Sequence, residues 1–166
     1  MSIVLSFIVY NSITKLIKVA AFTKTGESIV IRIDIPQKYI GKVEVSVNAK
    51  KLEMIDVECE SIEFDGKVTE VSLNGCKGVV EINCNLDMLV EVVSHEGAIE
   101  INQISAISRI KIPFDFTFRA KKKGIGTRIY YEEQGRRVED FSSEDADNYI
   151  ELNGMKSELF ITKEEA

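Results

Sequence analysis

Cys76 and His95 are the pair whose residue types and spacing come closest to a catalytic arrangement. They are 19 residues apart, which is the spacing of a repeat that runs through the chain, and His95 is the only histidine. A thiol beside an imidazole can act as an activated nucleophile, because the imidazole accepts its proton. Val57 holds the same position one repeat earlier, however, and no third residue stands out to orient the histidine. We therefore interpret the pair as a thiol beside a surface histidine without catalytic function.

Two further segments resemble ligand-binding loops only in part. Residues 121–127, K-K-K-G-I-G-T, lack the order of glycine, lysine and hydroxyl residues that a phosphate-binding loop requires, so a solvated basic turn is expected. Asp145, Asp147 and Asn148 lack the glycine and the distal glutamate of a calcium loop. Residues 135–137, G-R-R, beside two glutamates indicate a charged hairpin tip. We predict no catalytic, cofactor-binding or metal-binding residues.

Cysteine usage and net charge limit the possible partners. Cys59, Cys76 and Cys84 are odd in number and lack metal-ligand spacing, so free thiols in a reducing compartment are expected. The 21 basic and 27 acidic residues give a net charge of −6. This charge argues against nucleic acid and disfavours a generic anionic membrane surface. The apolar run at residues 3–10 is too short for a membrane span and has no basic residue before it, so we predict neither span nor signal peptide. A cytoplasmic location is favoured.

A repeated apolar–Glu–apolar triplet must position all these residues. Its copies start about 19 residues apart. Its copies are 43–45, 62–64, 80–82 and 99–101, and a further copy, 150–152, follows a break. A second apolar–polar–apolar row keeps step at 52–54, 71–73, 90–92 and 110–112, with extensions at 33–35 and 129–131. Alternation with Val, Ile and Phe is typical of strands, and a fixed period on this scale indicates a solenoid. The sequence predicts an all-β, single-stranded parallel β-solenoid (β-helix) of about six coils.

The repeat also predicts how the chain is divided. Residues 1–27 form a candidate N-terminal cap, in which Ile13, Leu16, Ile17 and Ala20 have helical spacing. Residues 28–162 form the solenoid, and 163–166 form a tail. Residues 119–148 break step and are interpreted as an irregular insertion of loops or a protruding hairpin. Pro36 and Pro113 each follow a second-row triplet, where we expect stacking to stop or shift.

The triplets place two polar rows on the predicted surface. The glutamate row consists of Glu44, Glu63, Glu81 and Glu100. It is either a solvated row of screened charges or an acidic stripe for a basic partner or cations. A turn residue follows each triplet, and small amides and carboxylates there can hydrogen-bond along the stack. These residues are Ser46, Asp65, Asn83, Asn102 and Asn153.

At residues 90–101 the strand–turn–strand unit resembles the tandem units of a family of bacterial adhesin-like domains of unknown function. The Ile-x-Ile-Pro segments at 33–36 and 110–113 are similar to that family's strand endings, and 148–161 is similar to its closing coil. The resemblance covers roughly residues 28–162. It implies a β-solenoid that acts as a non-enzymatic interaction module for a protein or surface ligand, and a cell-surface location. It implies no catalytic residues.

Two other functions are compatible with stacked coils. An enzyme of the pectate-lyase type would need a longer chain and a groove with basic and carboxylate groups, and a hexapeptide-repeat acyltransferase would need a six-residue rhythm. Neither feature is found in the sequence. A polymer that assembles coil to coil is the third candidate, and charged end segments such as 163–165 weigh against it. The sequence leaves the ligand and the oligomeric state open.

Overall fold

The computed structural model describes the backbone of residues 5–11, 16–22 and 133, and residues 41–132, 136–139 and 146–164 with their side chains. All regular elements in these residues are β-strands. They are β1 (Leu5–Asn11), β2 (Leu16–Phe22), β3 (Lys42–Asn48), β4 (Lys51–Ile55), β5 (Glu58–Lys67), β6 (Glu70–Asn74), β7 (Cys76–Asn83), β8 (Met88–Val92), β9 (His95–Ile104), β10 (Ile107–Ile112), β11 (Phe118–Ile125), β12 (Arg128–Glu133), β13 (Arg136–Glu139), β14 (Asn148–Met155) and β15 (Glu158–Lys163).

From β3 onward successive strands alternate between two sheets, except that β13 follows β12 in the same sheet. Sheet A has the order β1-β2-β3-β5-β7-β9-β14-β11, and sheet B has the order β13-β12-β15-β10-β8-β6-β4. Apart from the hairpins β1–β2 and β12–β13, neighbouring strands are parallel. One strand from each sheet makes one coil, and six such coils are stacked in the described residues. The predicted parallel β-solenoid is confirmed.

The strand registers align both predicted rows. In sheet A, Val43, Ile62, Val80, Ile99 and Ile150 lie opposite one another on successive strands. In sheet B, Leu52, Val71, Val90 and Ile110 do the same. Because side chains alternate between the faces of a strand, these apolar residues share the inner faces of the two sheets.

A single hydrophobic core runs between the two sheets. Its fully buried members include Phe64, Ile82 and Ile101 from sheet A and Leu73 and Ile161 from sheet B. The core is closed at its end beside β11 and β12 by three buried aromatic residues, Phe116, Phe118 and Tyr131. The Phe118 and Tyr131 rings meet edge to face with centroids 5.4 Å apart. We call this the distal end.

The last coil of the sequence is not the last coil of the stack. Strand β14 lies between β9 and β11, and β15 lies between β10 and β12, with parallel pairing on both sides. The linker at 113–117 makes this possible, because it is long enough to cross two coil spacings. It has five residues, whereas one or two residues join β4 to β5, β6 to β7 and β8 to β9. The predicted shift of stacking at Pro113 is therefore confirmed, and the linker turns there with a Phe116 N–H to Pro113 carbonyl bond of 3.1 Å.

A buried polar cluster fixes the inserted coil at one corner. The Ser108 hydroxyl donates to Gln103 Oε1 at 2.5 Å, and Gln103 Nε2 donates to the Ala106 carbonyl at 2.9 Å. Ser157, on the inserted coil, donates to the Gln103 carbonyl at 3.1 Å. All three side chains are buried, so an error in the placement of the inserted coil would leave polar groups without partners.

Several sequence-based predictions are wrong. Residues 16–22 form strand β2, so the helical spacing did not indicate a helix. Within the segment 119–148, expected to be loops or a protruding hairpin apart from the second-row triplet 129–131, the described residues form strands β11, β12 and β13. In the distal coil the first row passes through Ala120 and Lys122, where the sequence analysis placed no copy of the triplet. In the second row Ile110 pairs with Ile161, and Ile161 pairs with Tyr131. The residue that continues this column is therefore Tyr131, two positions after the predicted residue 129.

The segment 33–36 and, within the predicted cap, residues 1–4, 12–15 and 23–27 lie outside the described residues.

Candidate functional site

Cys76 and His95 lie side by side on β7 and β9, as the repeat predicted. The Cys76 thiol donates to the backbone carbonyls of Met54 and Asn74 at 3.5 and 3.6 Å. Burial raises the pKa of Cys76 and lowers that of His95. His95 Nε2 lies 3.3 Å from the Ala98 carbonyl, which can only accept a hydrogen bond, so Nε2 carries the proton. Both side chains are buried, so the histidine is not at the surface as expected, and burial favours the neutral thiol and the neutral imidazole.

His95 Nδ1 is buried and has no hydrogen-bond partner. It is the acceptor nitrogen in this tautomer. Burial, and next the electrostatic interaction with the neighbouring Cys76, raise the pKa of Cys59 to about 11. The three thiols are free.

The predicted polar ladder is present in the middle of sheet A. Asn102 Nδ2 donates to Asn83 Oδ1 at 2.7 Å, and Asn83 Nδ2 donates to Asp65 Oδ1 at 2.8 Å. The same amides also reach the glutamate row, since Asn102 donates to Glu81 Oε1 at 2.7 Å and Asn83 to Glu63 Oε1 at 3.3 Å. The amides thus bind one another and the acidic side chains along the stack.

The glutamate row is in register over five strands. Glu44, Glu63, Glu81 and Glu100 face outward on β3, β5, β7 and β9, and Glu151 continues the row on the inserted β14. On β11 the next position is Lys121. The outer surface of sheet A therefore changes from acidic to basic at the distal end.

Glu151 is the one buried member of this row, with a side chain only 6% exposed. Lys123 Nζ lies 2.6 Å from its Oε1, and the Tyr149 hydroxyl donates to its Oε2 at 2.6 Å. Burial by itself would raise the pKa of Glu151, but these two hydrogen bonds outweigh it and hold the pKa below its usual value. The inserted coil is thus joined to β11 by an ion pair.

Strand β11 contains the lysines that the sequence predicted to be a turn. Among the described strands it pairs only with β14, so it is the distal edge of sheet A there. Its sequence, F-R-A-K-K-K-G-I, carries four basic residues and no acidic one. Lys121 and Lys123 share the outward face, and Lys122 takes the inward position opposite Leu152. A charged residue in an inward position protects an edge strand against pairing with another chain.

An exposed apolar row lies beside these lysines. Ile104, Met155 and Ile125 occupy one register position on β9, β14 and β11 and are 51%, 45% and 81% exposed. Gly124, at φ +99°, allows the turn that follows, because a Cβ there would collide with the Gly154 carbonyl. We call the three apolar residues with Lys121 and Lys123 the distal corner.

The hairpin β12–β13 is the second charged region of the distal end. Arg137 lies 3.7 Å from Glu132 and stacks over Tyr130 and Phe160, whose rings are 4.7 Å apart. These contacts cover the rings and neutralise part of the charge, which suits a structural role. Asn148 donates to the Thr117 carbonyl and accepts the Gly97 N–H, so its polar groups serve the fold.

Sequence reasoning missed the distal corner. The lysines were recognised, but their place on an edge strand was not, and Ile104, Met155 and Ile125 were not singled out. The sequence feature that these three residues share is a position at the end of a first-row strand. This feature indicates a common surface only once it is known that β14 and then β11 follow β9 in the sheet.

Within the described part of the chain no group of three or more histidine, cysteine, aspartate or glutamate side chains is arranged to hold a metal ion. None of the described residues belongs to a helix of the length and apolarity needed to span a membrane. Comparisons with known protein families, curated proteins and solved structures found no match to this chain.

Proposed function

We propose that this protein is a non-enzymatic interaction module, of the kind that its resemblance to adhesin-like domains implies, and that the distal corner is its contact surface. The observation that carries the proposal is the row of Ile104, Met155 and Ile125, exposed together beside a strand of basic residues. Contiguous apolar groups on a protein surface mark interaction sites, whereas scattered ones do not.

The scaffold supports this role. The corner lies at the ends of three parallel strands, held from behind by the Gln103 cluster and by the Lys123–Glu151 pair. Side chains on a rigid element lose little conformational freedom on binding, which favours affinity. The raised pKa of Cys76 and the buried imidazole of His95 are consistent with a protein that binds without catalysis.

The proposal is tested by comparing Ile125→Ser with Ile55→Ser. Ile55 is 55% exposed at the end of β4, which is at the opposite edge of sheet B from the distal end, so the same chemical change is made at a comparable surface position. Full-length proteins are immobilised and incubated with the membrane and soluble fractions of an extract from the source organism. Retention that is lost in Ile125→Ser but kept in Ile55→Ser supports the proposal. Equal retention by all three proteins in every fraction contradicts it.

A further inference from the structure

We infer that the partner of the distal corner is an anionic membrane surface, on which the solenoid stands end-on. This inference rests on the proposed function and deepens it. The corner combines the two features that hold a peripheral protein at a bilayer, namely apolar side chains that enter the interface and basic side chains that attract anionic headgroups.

The apolar component projects from the protein rather than lining a groove. Ile125 is 81% exposed at the turn after β11, and Met155 and Ile104 follow it on the next two strands. In the end-on orientation Ile125 leads and Met155 stands about 4.8 Å behind it, so these two side chains can enter the boundary between headgroups and acyl chains, whereas Ile104 is a further strand back. Lys156, also exposed, follows Met155 directly and adds a cation to the same turn.

The basic component is concentrated in one strand. Arg119, Lys121, Lys122 and Lys123 all belong to β11, and no carboxylate is present in that strand. Each basic residue near an anionic leaflet contributes enough attraction to change binding about fivefold. Lys123 pairs with Glu151, which is largely buried, and Arg119 stacks over the Tyr149 ring, and both cations keep their charge beside Lys121.

The net charge of −6 is the main objection, and the structure answers it. The acidic residues of sheet A recede from β11 at the spacing of parallel strands, about 4.8 Å each. In the end-on orientation Glu100, two strands away, stands roughly 10 Å behind β11, and Glu81 and Glu63 stand farther back. The screening length at physiological ionic strength is about 8 Å. Strands β12 and β13 of sheet B, at the same end, carry three arginines and three glutamates and add no net charge. The membrane therefore experiences mainly the charge of β11, although the whole molecule is acidic.

The first experiment measures cosedimentation of the full-length protein with vesicles of phosphatidylcholine containing phosphatidylserine, and with vesicles of phosphatidylcholine alone. We expect binding to the anionic vesicles only, weakened by added salt. Lys121→Gln should reduce it about fivefold, whereas Lys111→Gln, which removes an equal charge from the outer face of β10, should leave it unchanged. Binding that is absent, or that falls equally in both variants, contradicts the inference.

The second experiment reports insertion directly. The chain contains no tryptophan, so Ile125→Trp and Ile55→Trp each introduce a single fluorophore. With phosphatidylserine vesicles the emission of Ile125→Trp should shift to shorter wavelength and be quenched by brominated lipid, while that of Ile55→Trp should not change. Met155→Trp serves in the same way if Ile125→Trp is poorly folded, as judged by circular dichroism.

The outcomes separate this inference from the function on which it rests. If vesicles are not bound but extract fractions still retain the protein through Ile125, the corner binds another macromolecule, such as an acidic protein, and only the membrane assignment fails. If neither vesicles nor extract fractions depend on Ile125, both proposals are wrong.

Discussion

Replacing Glu81 with glutamine should stabilise the protein at low ionic strength and lose this effect at high ionic strength. Glu81 lies between Glu63 and Glu100 in the row, so its charge faces a like charge on both sides. Repulsion across neighbouring strands amounts to about 0.2–1 kcal/mol for each pair, so the substitution relieves at most about 2 kcal/mol. Because the row is solvated, the lower half of this range is the appropriate value.

One hydrogen bond opposes this gain. Glu81 accepts from Asn102 Nδ2 at 2.7 Å, and glutamine retains a carbonyl oxygen that can accept the same bond. A bond to a charged acceptor is roughly twice as strong as a bond to a neutral one, so the substitution weakens it by about 0.5 kcal/mol. The expected net stabilisation is about 0.5 kcal/mol at low salt, and it should fall to zero or below when salt screens the repulsion but not the hydrogen bond.

Urea unfolding followed by circular dichroism at low and high sodium chloride measures this difference. Glu91→Gln is the matched control, because Glu91 also faces outward but lies between Ser72 and Lys111 in its register. Loss of its charge removes an attraction, so the control should be destabilised at low salt. If Glu81→Gln is destabilised at low salt, or shows the same salt trend as the control, the repulsive row does not exist as described.

Three further predictions concern the core, the inserted coil and the thiols. Ile82→Ala should lower the free energy of unfolding by ~2–5 kcal/mol, because Ile82 is fully buried in the central coil, and an unchanged urea midpoint would contradict the packing. Lys123→Met should lower the urea midpoint at neutral pH, and the difference from wild type should shrink as acid protonates Glu151, whose pKa the lysine holds down. A difference that stays the same across this pH range would show that the ion pair does not stabilise the fold. The rate of Cys59 alkylation should have its pH midpoint at about pH 11. The free energy of unfolding should decrease as the pH rises above about 8.5, the pKa of the thiol in the unfolded chain, because the unfolded chain loses its proton first. A midpoint near the unfolded value would indicate an exposed thiol.

The repeat could be predicted from sequence because burial imposes alternation on every strand that has a core on one side. The triplets at 62–64 and 80–82 show this pattern directly, and their registers agree with the prediction. The polar ladder of Asn83 and Asn102 followed from the same alignment, since equal positions on successive coils lie within hydrogen-bonding distance. Both features depend only on local pattern and period.

The position of the last coil could not be predicted in this way. Every coil presents the same apolar–polar–apolar face to its neighbours, so the triplet at 150–152 fits beside 99–101 as well as beyond β11. The choice is made by the linker 113–117, which spans two coils, and by the buried Gln103 cluster. These determinants join residues more than 50 positions apart, and a single sequence does not show such a pairing.

The inserted coil also explains why a strand so rich in lysine belongs to the solenoid. If coils followed the order of the sequence, β14 would be the last strand of sheet A, with Leu152 in the inward position and an unpaired edge that another chain could extend. The observed order places β11 outside β14, and Lys122 replaces that leucine at the edge. Growth coil upon coil is thereby opposed at the distal end, which weighs against the polymer function considered from the sequence. The same lysines that close the edge to strands make the distal end basic, and the exposed row at Ile125 then gives it an apolar contact surface that no coil of the described residues covers.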